Sequence, residues 1–308
     1  MKVGLSIPIS MSGEEKENYA RDAKSIGVES IWVGDNPPVN NAFLDIGRLL
    51  KGTKQMQVWT GITSPFYYST EVLFALSVWL YTNYPNRFGL GLGIGNPAIF
   101  KDEEISLKPF TNFKSSVANL LEIADIRRTQ QKLDDFPPLA FGGLGNKMLN
   151  FAKEKADFLL LNSISEVDII RALNLYKKDG KHTSSSVVPY GMMQIQSDKQ
   201  QISKTMWNIT KDIAKSCSTA ILKEHGYSSK MISNIRELKW DPYSSVPKGE
   251  ILKIVDDFGI LGSLEDVLER METIKKHQKS DSFDRIVLGW LYSENQWDSL
   301  KEIISLLK

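Results

Sequence analysis

Cysteine is almost absent: Cys217 stands alone in 308 residues. That excludes an internal disulfide and a thiolate metal cluster. Its setting in the helical run ITKDIAKSCSTAIL marks a packed structural thiol rather than a nucleophile. Histidine is nearly as scarce, with three in the chain. None has H-E-x-x-H or H-x-x-E-H spacing, so no metal site is expected, and His182, His225 and His277 read as surface residues. An excess of one charge is missing too, since 38 Lys and Arg face 37 Asp and Glu. Polyanion binding depends on neutralising phosphates with cations, so nucleic acid is not an expected partner. No apolar run approaches the roughly 20 residues that cross a bilayer. The start, MKVGLSIPISMSGEEKE, with its early acids, reads as a strand and a helix start rather than a leader. The expectation is a cytoplasmic protein with no membrane partner.

What the chain does have is alternation. Short apolar runs that read as buried parallel strands occur at 2–9, 30–35, 56–63, 87–93, 138–143, 157–162, 187–195 and 284–291. Between them lie amphipathic segments, the first opening at Ser12 with Glu15 three places on, a capping-box spacing. Eight strands with helical crossovers predict an α/β fold of the (β/α)8, or TIM-barrel, type, with a doubly wound open sheet as the competing architecture. One domain over 1–308 is expected. About 90 residues between the seventh and eighth strands read almost wholly as helix, and 197–257 is taken as a helical insertion within the domain.

In a barrel the working residues come from the carboxyl ends of the strands. Those ends here are poor in paired acids and rich in glycine. Gly89, Gly91, Gly93 and Gly95 punctuate RFGLGLGIGNP, and Gly142, Gly143 and Gly145 punctuate AFGGLGNK. Gly89 and Gly91 are expected to relieve crowding inside the barrel. Gly95, Gly142 and Gly143, at strand exits, could let backbone approach a phosphate. GIGNPA (93–98) is only a loose dinucleotide fingerprint, and no clean helix follows it. The aromatic residues Trp32, Trp79, Trp290 and Phe66 read as core or mouth packing. The apolar segment LFALSVWLYTNY (73–84) is either an intersubunit contact or an ordinary barrel helix.

Several segments together resemble the bacterial luciferase-like superfamily, and within it the deazaflavin-dependent methylenetetrahydromethanopterin reductases. They are KVGLSIP, ESIWVGDN, TGITSPFYYSTEV, YPNRFGLGLGIGNPAIF, ISLKPFTNFKSSVANLLEI, PPLAFGGLGNKMLNFAKEKADFLLLN, ILGSLEDVLERME and DRIVLGW, in order. The resemblance implies a luciferase-like TIM barrel, a homodimer, a small-molecule substrate and coenzyme F420 at the carboxyl face. FMN is the alternative cofactor, and a flavin-dependent monooxygenase the alternative activity. It also implies a third-strand bulge with a non-prolyl cis peptide at Gly61-Ile62 supporting the ring. Asp35 matches an acid near that ring, with Asn36, Thr63, Ser64 and Asn96 beside it as cofactor or substrate contacts. Ile94-Gly95 and Gly142-Gly143 match backbone that meets the cofactor phosphate. Three positions depart from the family pattern: Asn36 replaces a histidine, Ser6 a strand-one glutamate, and Asn96 an aspartate after the fourth strand. A hydroxyl and an amide do not protonate a leaving amine near neutral pH. Asp35, Ser6 and Asn96 are therefore the candidate catalytic positions, with proton chemistry altered at Ser6 and Asn96, which also allows a cofactor-binding homologue with changed catalysis.

Overall fold

A computed structural model of the chain describes residues 1–37, 39–95, 108–131, 136–177, 185–196, 202–238, 248–279, 283–290 and 297–308. Its strands are β1 (Lys2–Ile7), β2 (Ser30–Val33), β3 (Gln57–Thr60), β4 (Phe88–Leu92), β5 (Leu139–Gly143), β6 (Phe158–Leu161), β7 (Ser186–Ile195), β8 (Gly259–Gly262) and β9 (Arg285–Trp290). They hydrogen-bond in the order β6-β5-β4-β3-β2-β1-β9-β7-β8, and β6 also pairs with β7. The sheet thus closes as an eight-stranded parallel (β/α)8 barrel, with β8 added outside the ring on β7. The intervening helices are α1 (Gly13–Ser25), α2 (Ala42–Gly52), α3 (Thr70–Asn83), α4 (Pro109–Gln131), α5 (Asn146–Lys155) and α6 (Glu166–Lys177). After β7 come α7 (Lys204–Ser216), α8 (Thr219–Glu224), α9 (Ser229–Glu237) and α10 (Lys248–Phe258), then α11 (Leu264–Lys276) and α12 (Trp297–Leu307).

β8 is the departure from the expected strand count. GILG is too short to declare itself by pattern, yet Gly259 to Gly262 pair in parallel with Met192 to Ile195. α4 begins at Pro109, a residue preorganised for a first helical turn.

The chain packs as two compact units, one of Gly4–Gly142 with Phe151–Leu159, the other of Met1–Val3, Gly143–Asn150 and Leu160–Lys308. In the first, Ser12 caps α1 and Glu15 closes the box, as expected. α1 and α2 are joined by the part-buried pair Lys16–Asp45, 2.6 Å apart. Trp32 and Trp59, register partners on β2 and β3, stack with centroids 5.0 Å apart. Phe158 of β6 meets Trp59 edge-on at 5.4 Å. Two strands separate β3 from β6 in the sheet, so these rings meet across its concave side. Side chains alternate along a strand, which places Gly4, Trp32, Trp59 and Gly89 on this inner face. A Cβ on Gly89 would lie 2.2 Å from the Trp59 ring, so the glycine is the space into which the indole packs.

In the second unit α12 buries Leu300, Ile303, Ile304 and Leu307, and α7 buries Met206, Trp207 and Ile213. Cys217, which follows α7, is buried as expected.

Two expectations are corrected. His225 is not a surface residue: it is 7% exposed and hydrogen-bonded to Asp168. Its sequence neighbourhood is polar, and only the distant carboxylate makes burial tolerable. Trp79 is not packed either, being 59% exposed. α3 is apolar nearly all round, so sequence cannot say which residues turn inward; Leu73, Ser77 and Leu80 do. His277 is partly exposed and contacts Glu166 at 2.8 Å. His182, Asn96 and the side chain of Trp290 lie outside the described residues.

Candidate active site at the carboxyl ends of the strands

The third strand stops at Thr60 because its ladder is interrupted there. The Thr60 hydroxyl accepts from the Gly91 amide and donates to the Gly91 carbonyl, both at 2.7 Å. The Gly61–Ile62 peptide is cis. Pairing resumes where the Thr63 amide donates to the Gly91 carbonyl at 3.0 Å and the Gly93 amide to the Thr63 carbonyl at 2.9 Å. The bulge is also pinned to the second strand, through Gly61 N–H to the Val33 carbonyl and Asp35 N–H to the Ile62 carbonyl.

Above the tryptophan layer the inner positions are all small: Ser6, Gly34, Gly61, Gly91, Gly93 and Gly142. Ile62 projects among them. A Cβ on Gly93 would fall 2.0 Å from Ile62 Cδ1, and one on Gly142 3.0 Å from Ile62 Cγ2. At Gly34 a Cβ would find nothing closer than 3.7 Å. Ser6, Gly34, Ile62 and Gly142 are half-buried. Ile62 is thus a half-buried aliphatic side chain set among small residues, with open space left beside Gly34.

Asp35 stands beside it, 8% exposed. Its Oδ1 accepts from the Ala42 amide at 3.0 Å, and its Oδ2 from the Thr63 and Tyr68 hydroxyls at 2.6 and 2.8 Å. Burial, then the hydrogen bond and charge of Asp35, hold the Tyr68 phenol well above its ordinary range. Asn41 caps α2 and reaches the Tyr68 hydroxyl at 3.1 Å. The Ser64 hydroxyl donates to the Ile94 carbonyl at 2.9 Å, tying the exits of β3 and β4 together. Gly95 follows with φ of 81°, a left-handed conformation that favours glycine. The Asn36 carbonyl accepts from the Val39 and Asn40 amides. Asn40 donates its amide to the Gly34 carbonyl at 2.8 Å, while its own Oδ1 is buried with no hydrogen-bond partner among the described residues. Tyr68, Asn40 and Asn41 escape sequence reasoning. Only the N-cap position of Asn41 carries a signal, at the start of an apolar run.

Gly143 belongs to the other unit and opens the turn into α5. A Cβ on it would lie 2.4 Å from Met148 Cγ. Arg171 of α6 holds this turn: Nη1 donates to the Leu144 carbonyl at 3.0 Å and to Asn146 Oδ1 at 2.8 Å. Its Nη2 lies 2.6 Å from Asp168 Oδ1, and Glu224 sits 3.4 Å from Nε. Asp168, fully buried, also accepts from the Ser163 hydroxyl at 2.7 Å and contacts His225 Nε2 at 3.0 Å. Asp257 is 3.8 Å from His225 Nδ1 and 3.1 Å from Lys253 Nζ, and Lys253 also donates to the His225 carbonyl. Burial opposes protonation of His225, but hydrogen bonds and charges from Asp168 and Asp257 outweigh it and raise its pKa to about 9. Burial likewise works against ionised Asp168, and bonds from His225, Arg171 and Ser163 bring it below the ordinary carboxylate range. No spacing in the sequence announces this cluster, whose members lie on four separate helices or their ends.

No family model matches the chain. A curated 5,10-methylenetetrahydromethanopterin reductase from Archaeoglobus fulgidus is 22% identical over 300 residues, covering 90% of both chains. One from Methanolobus tindarius is 22% identical over 278 residues, covering 83% of this chain and 85% of the relative. Among solved structures, the coenzyme F420 dependent tetrahydromethanopterin reductase of Methanopyrus kandleri superposes with a TM-score of 0.78 at 16% identity, over 100% of this chain and 99% of that one. An F420-dependent secondary alcohol dehydrogenase, in complex with an F420-acetone adduct, gives 0.69 at 16% identity over 100% and 99%. The FMN complex of an oxygenating Baeyer–Villiger component from Pseudomonas putida gives 0.59 at 15% identity over 100% and 96%. Over most of its length the chain is similar in sequence to methylenetetrahydromethanopterin reductases, and its closed parallel barrel has the luciferase-like fold.

Proposed function

We propose that the chain is a coenzyme F420-dependent oxidoreductase that moves hydride between the reduced deazaflavin and a small organic substrate. The half-buried Ile62, set among small residues, carries this reading, because it offers an apolar platform at the face where barrel enzymes work. The curated relatives named as methylenetetrahydromethanopterin reductases support it. So does the likeness to two structures whose titles name F420.

The residues fit such a group. Ile62 would support one face of the ring, Gly34 leaves room beside it, and the buried Asn40 Oδ1 offers an acceptor at the same exit. Gly95 and Gly142, and separately Gly143 in the other unit, are glycines that would let backbone approach a phosphate. When bound, the deazaflavin supplies the two-electron hydride chemistry, as cofactors generally do. The protein's part is orientation and exclusion of water. Asp35, its oxygens taken by Ala42, Thr63 and Tyr68, fixes the bulge relative to α2. Ser6 presents a hydroxyl where the reductases carry a glutamate, and Asn36 an amide where the family carries a histidine, so they would orient a substrate by hydrogen bonding. A substrate other than methylenetetrahydromethanopterin follows from that exchange. The protein is taken to act in the cytoplasm as a homodimer, for which Val72 and Trp79, exposed on α3, and Leu44, exposed on α2, offer apolar surface.

Titration with F420 and with FMN tests the reading, followed by hydride transfer to a panel of imines, aldehydes and alcohols. Tight F420 binding with turnover of one class supports it. Tight FMN binding without F420 binding replaces it with a flavin monooxygenase, the reading favoured by the FMN-bound neighbour. Tight F420 binding with a silent panel favours a homologue with altered catalysis.

A further inference from the structure

We propose that Arg171 is a positioning residue for the Gly143–Asn146 turn, and that Asp168 and His225 hold it in that task. The inference rests on the functional reading above only where it speaks of cofactor phosphate.

The geometry runs in one unbroken line. The Leu144 carbonyl and the Asn146 side chain both accept from Nη1 of Arg171. Nη2 of the same guanidinium is fixed by Asp168 Oδ1, while the other oxygen of Asp168 faces His225. His225 follows α8 directly and faces Asp257 of α10, which pairs with Lys253. A turn after β5, an anchor on α6 and two helices beyond β7 are therefore joined by charge-assisted hydrogen bonds, which are shorter and stronger than neutral ones.

Arg171 suits the task on chemical grounds. A planar guanidinium can serve the turn and the carboxylate at once, which an ammonium on a flexible stem cannot. Its side chain is 13% exposed, so its charge is poorly screened. The turn itself carries Gly143 and Gly145, which give it little stiffness of its own. Its rigidity must come from outside, and Arg171 supplies two of the outside bonds. Asp168 and His225 act through Arg171: without the carboxylate the guanidinium loses its fixed partner, and without the imidazole the carboxylate loses one of its donors.

The test uses the full chain and the variants Arg171→Met, Arg171→Lys and His225→Gln. Amide hydrogen exchange over residues 143–149 of the ligand-free protein is read first. Faster exchange there in Arg171→Met, with the rest of the barrel unchanged, is expected; exchange unchanged over 143–149 overturns the proposal. Affinity is then measured for F420 and for its riboflavin-like chromophore lacking the phosphate. Arg171→Met should weaken F420 by about tenfold or more, the scale of losing an outer-shell partner, and leave the phosphate-free chromophore within about twofold. Arg171→Lys should recover only part of the loss, and His225→Gln should show a smaller loss of the same selectivity. Equal weakening of both ligands overturns the positioning role. Wild-type protein that fails to bind F420 would refute the functional reading instead, and the exchange data alone would then judge Arg171.

Discussion

The Thr60 hydroxyl closes two hydrogen bonds to a single residue, taking the Gly91 amide and giving to the Gly91 carbonyl. A side chain here replaces the backbone pairing that the bulge removes. Thr60→Val keeps shape and burial but leaves the buried Gly91 amide without its acceptor, while the Gly91 carbonyl keeps its bond from the Thr63 amide; an unsatisfied buried group costs about 1–3 kcal/mol. Denaturant unfolding should show a loss on that scale. A change below about 0.5 kcal/mol would mean that the bulge is held by its remaining bonds.

The space beside Gly34 can be filled without disturbing the fold. At Gly34 an added Cβ meets only ordinary contacts, so Gly34→Leu should fold with a melting temperature near wild type yet bind cofactor at least about tenfold more weakly, a steric loss worth 1.4 kcal/mol. Undiminished binding would move the ring away from this exit.

Gly89→Ala should behave in the opposite manner. Its new methyl would meet the Trp59 ring at 2.2 Å, and overpacking a tight core costs about 1–3 kcal/mol. Stability measured by denaturant should fall while the indole fluorescence shifts. An unaltered melting curve would contradict the inner-face assignment of Trp59.

His225 makes stability depend on pH. Its folded pKa, raised to about 9, stands above the ordinary 6.5. The contribution is therefore complete below about pH 6.5 and is lost as pH climbs through 9. Two to three pKa units correspond to roughly 3 kcal/mol. Wild-type stability should decline between pH 6.5 and 9.5 more steeply than that of His225→Gln; parallel curves would remove His225 from the account.

Cys217 should be silent until the protein opens. Burial, and then the negative charge of Asp168, push its thiol up to about 12, and thiolate is the reactive form. Labelling with a thiol reagent at pH 8 should follow the unfolding rate. Rapid stoichiometric labelling of native protein would contradict its burial.

Much of the barrel was legible because parallel strands are buried on both faces and read as apolar runs between amphipathic helices. Ser12 with Glu15 announced a helix start by local chemistry alone. Trp32 was readable as packing, and Gly89 and Gly91 as relief of crowding inside the barrel. Other features need the third dimension. β8 is four residues long and defined only by its neighbour. Trp79 lies on a helix whose apolar residues mark no single face. His225 and Asp168 are 57 positions apart, and no local pattern joins them. At the mouth, the glycines and the Asp35 position could be singled out in the sequence, but not the three donors that occupy the Asp35 carboxylate. Those come from a loop, a helix start and the bulge, which meet only once the strands are in register.

A closed ring of strands has no unpaired edge, which is one reason such folds resist sticking to one another. The added β8 gives this protein back a border: one side of Gly259–Gly262 is taken by β7, and among the described residues no strand is paired with the other. With four residues and a glycine at each end, that border is a poor template for a foreign strand. Lengthening it with β-branched residues, in this chain or in a redesign, should turn a harmless selvedge into a seam along which molecules join.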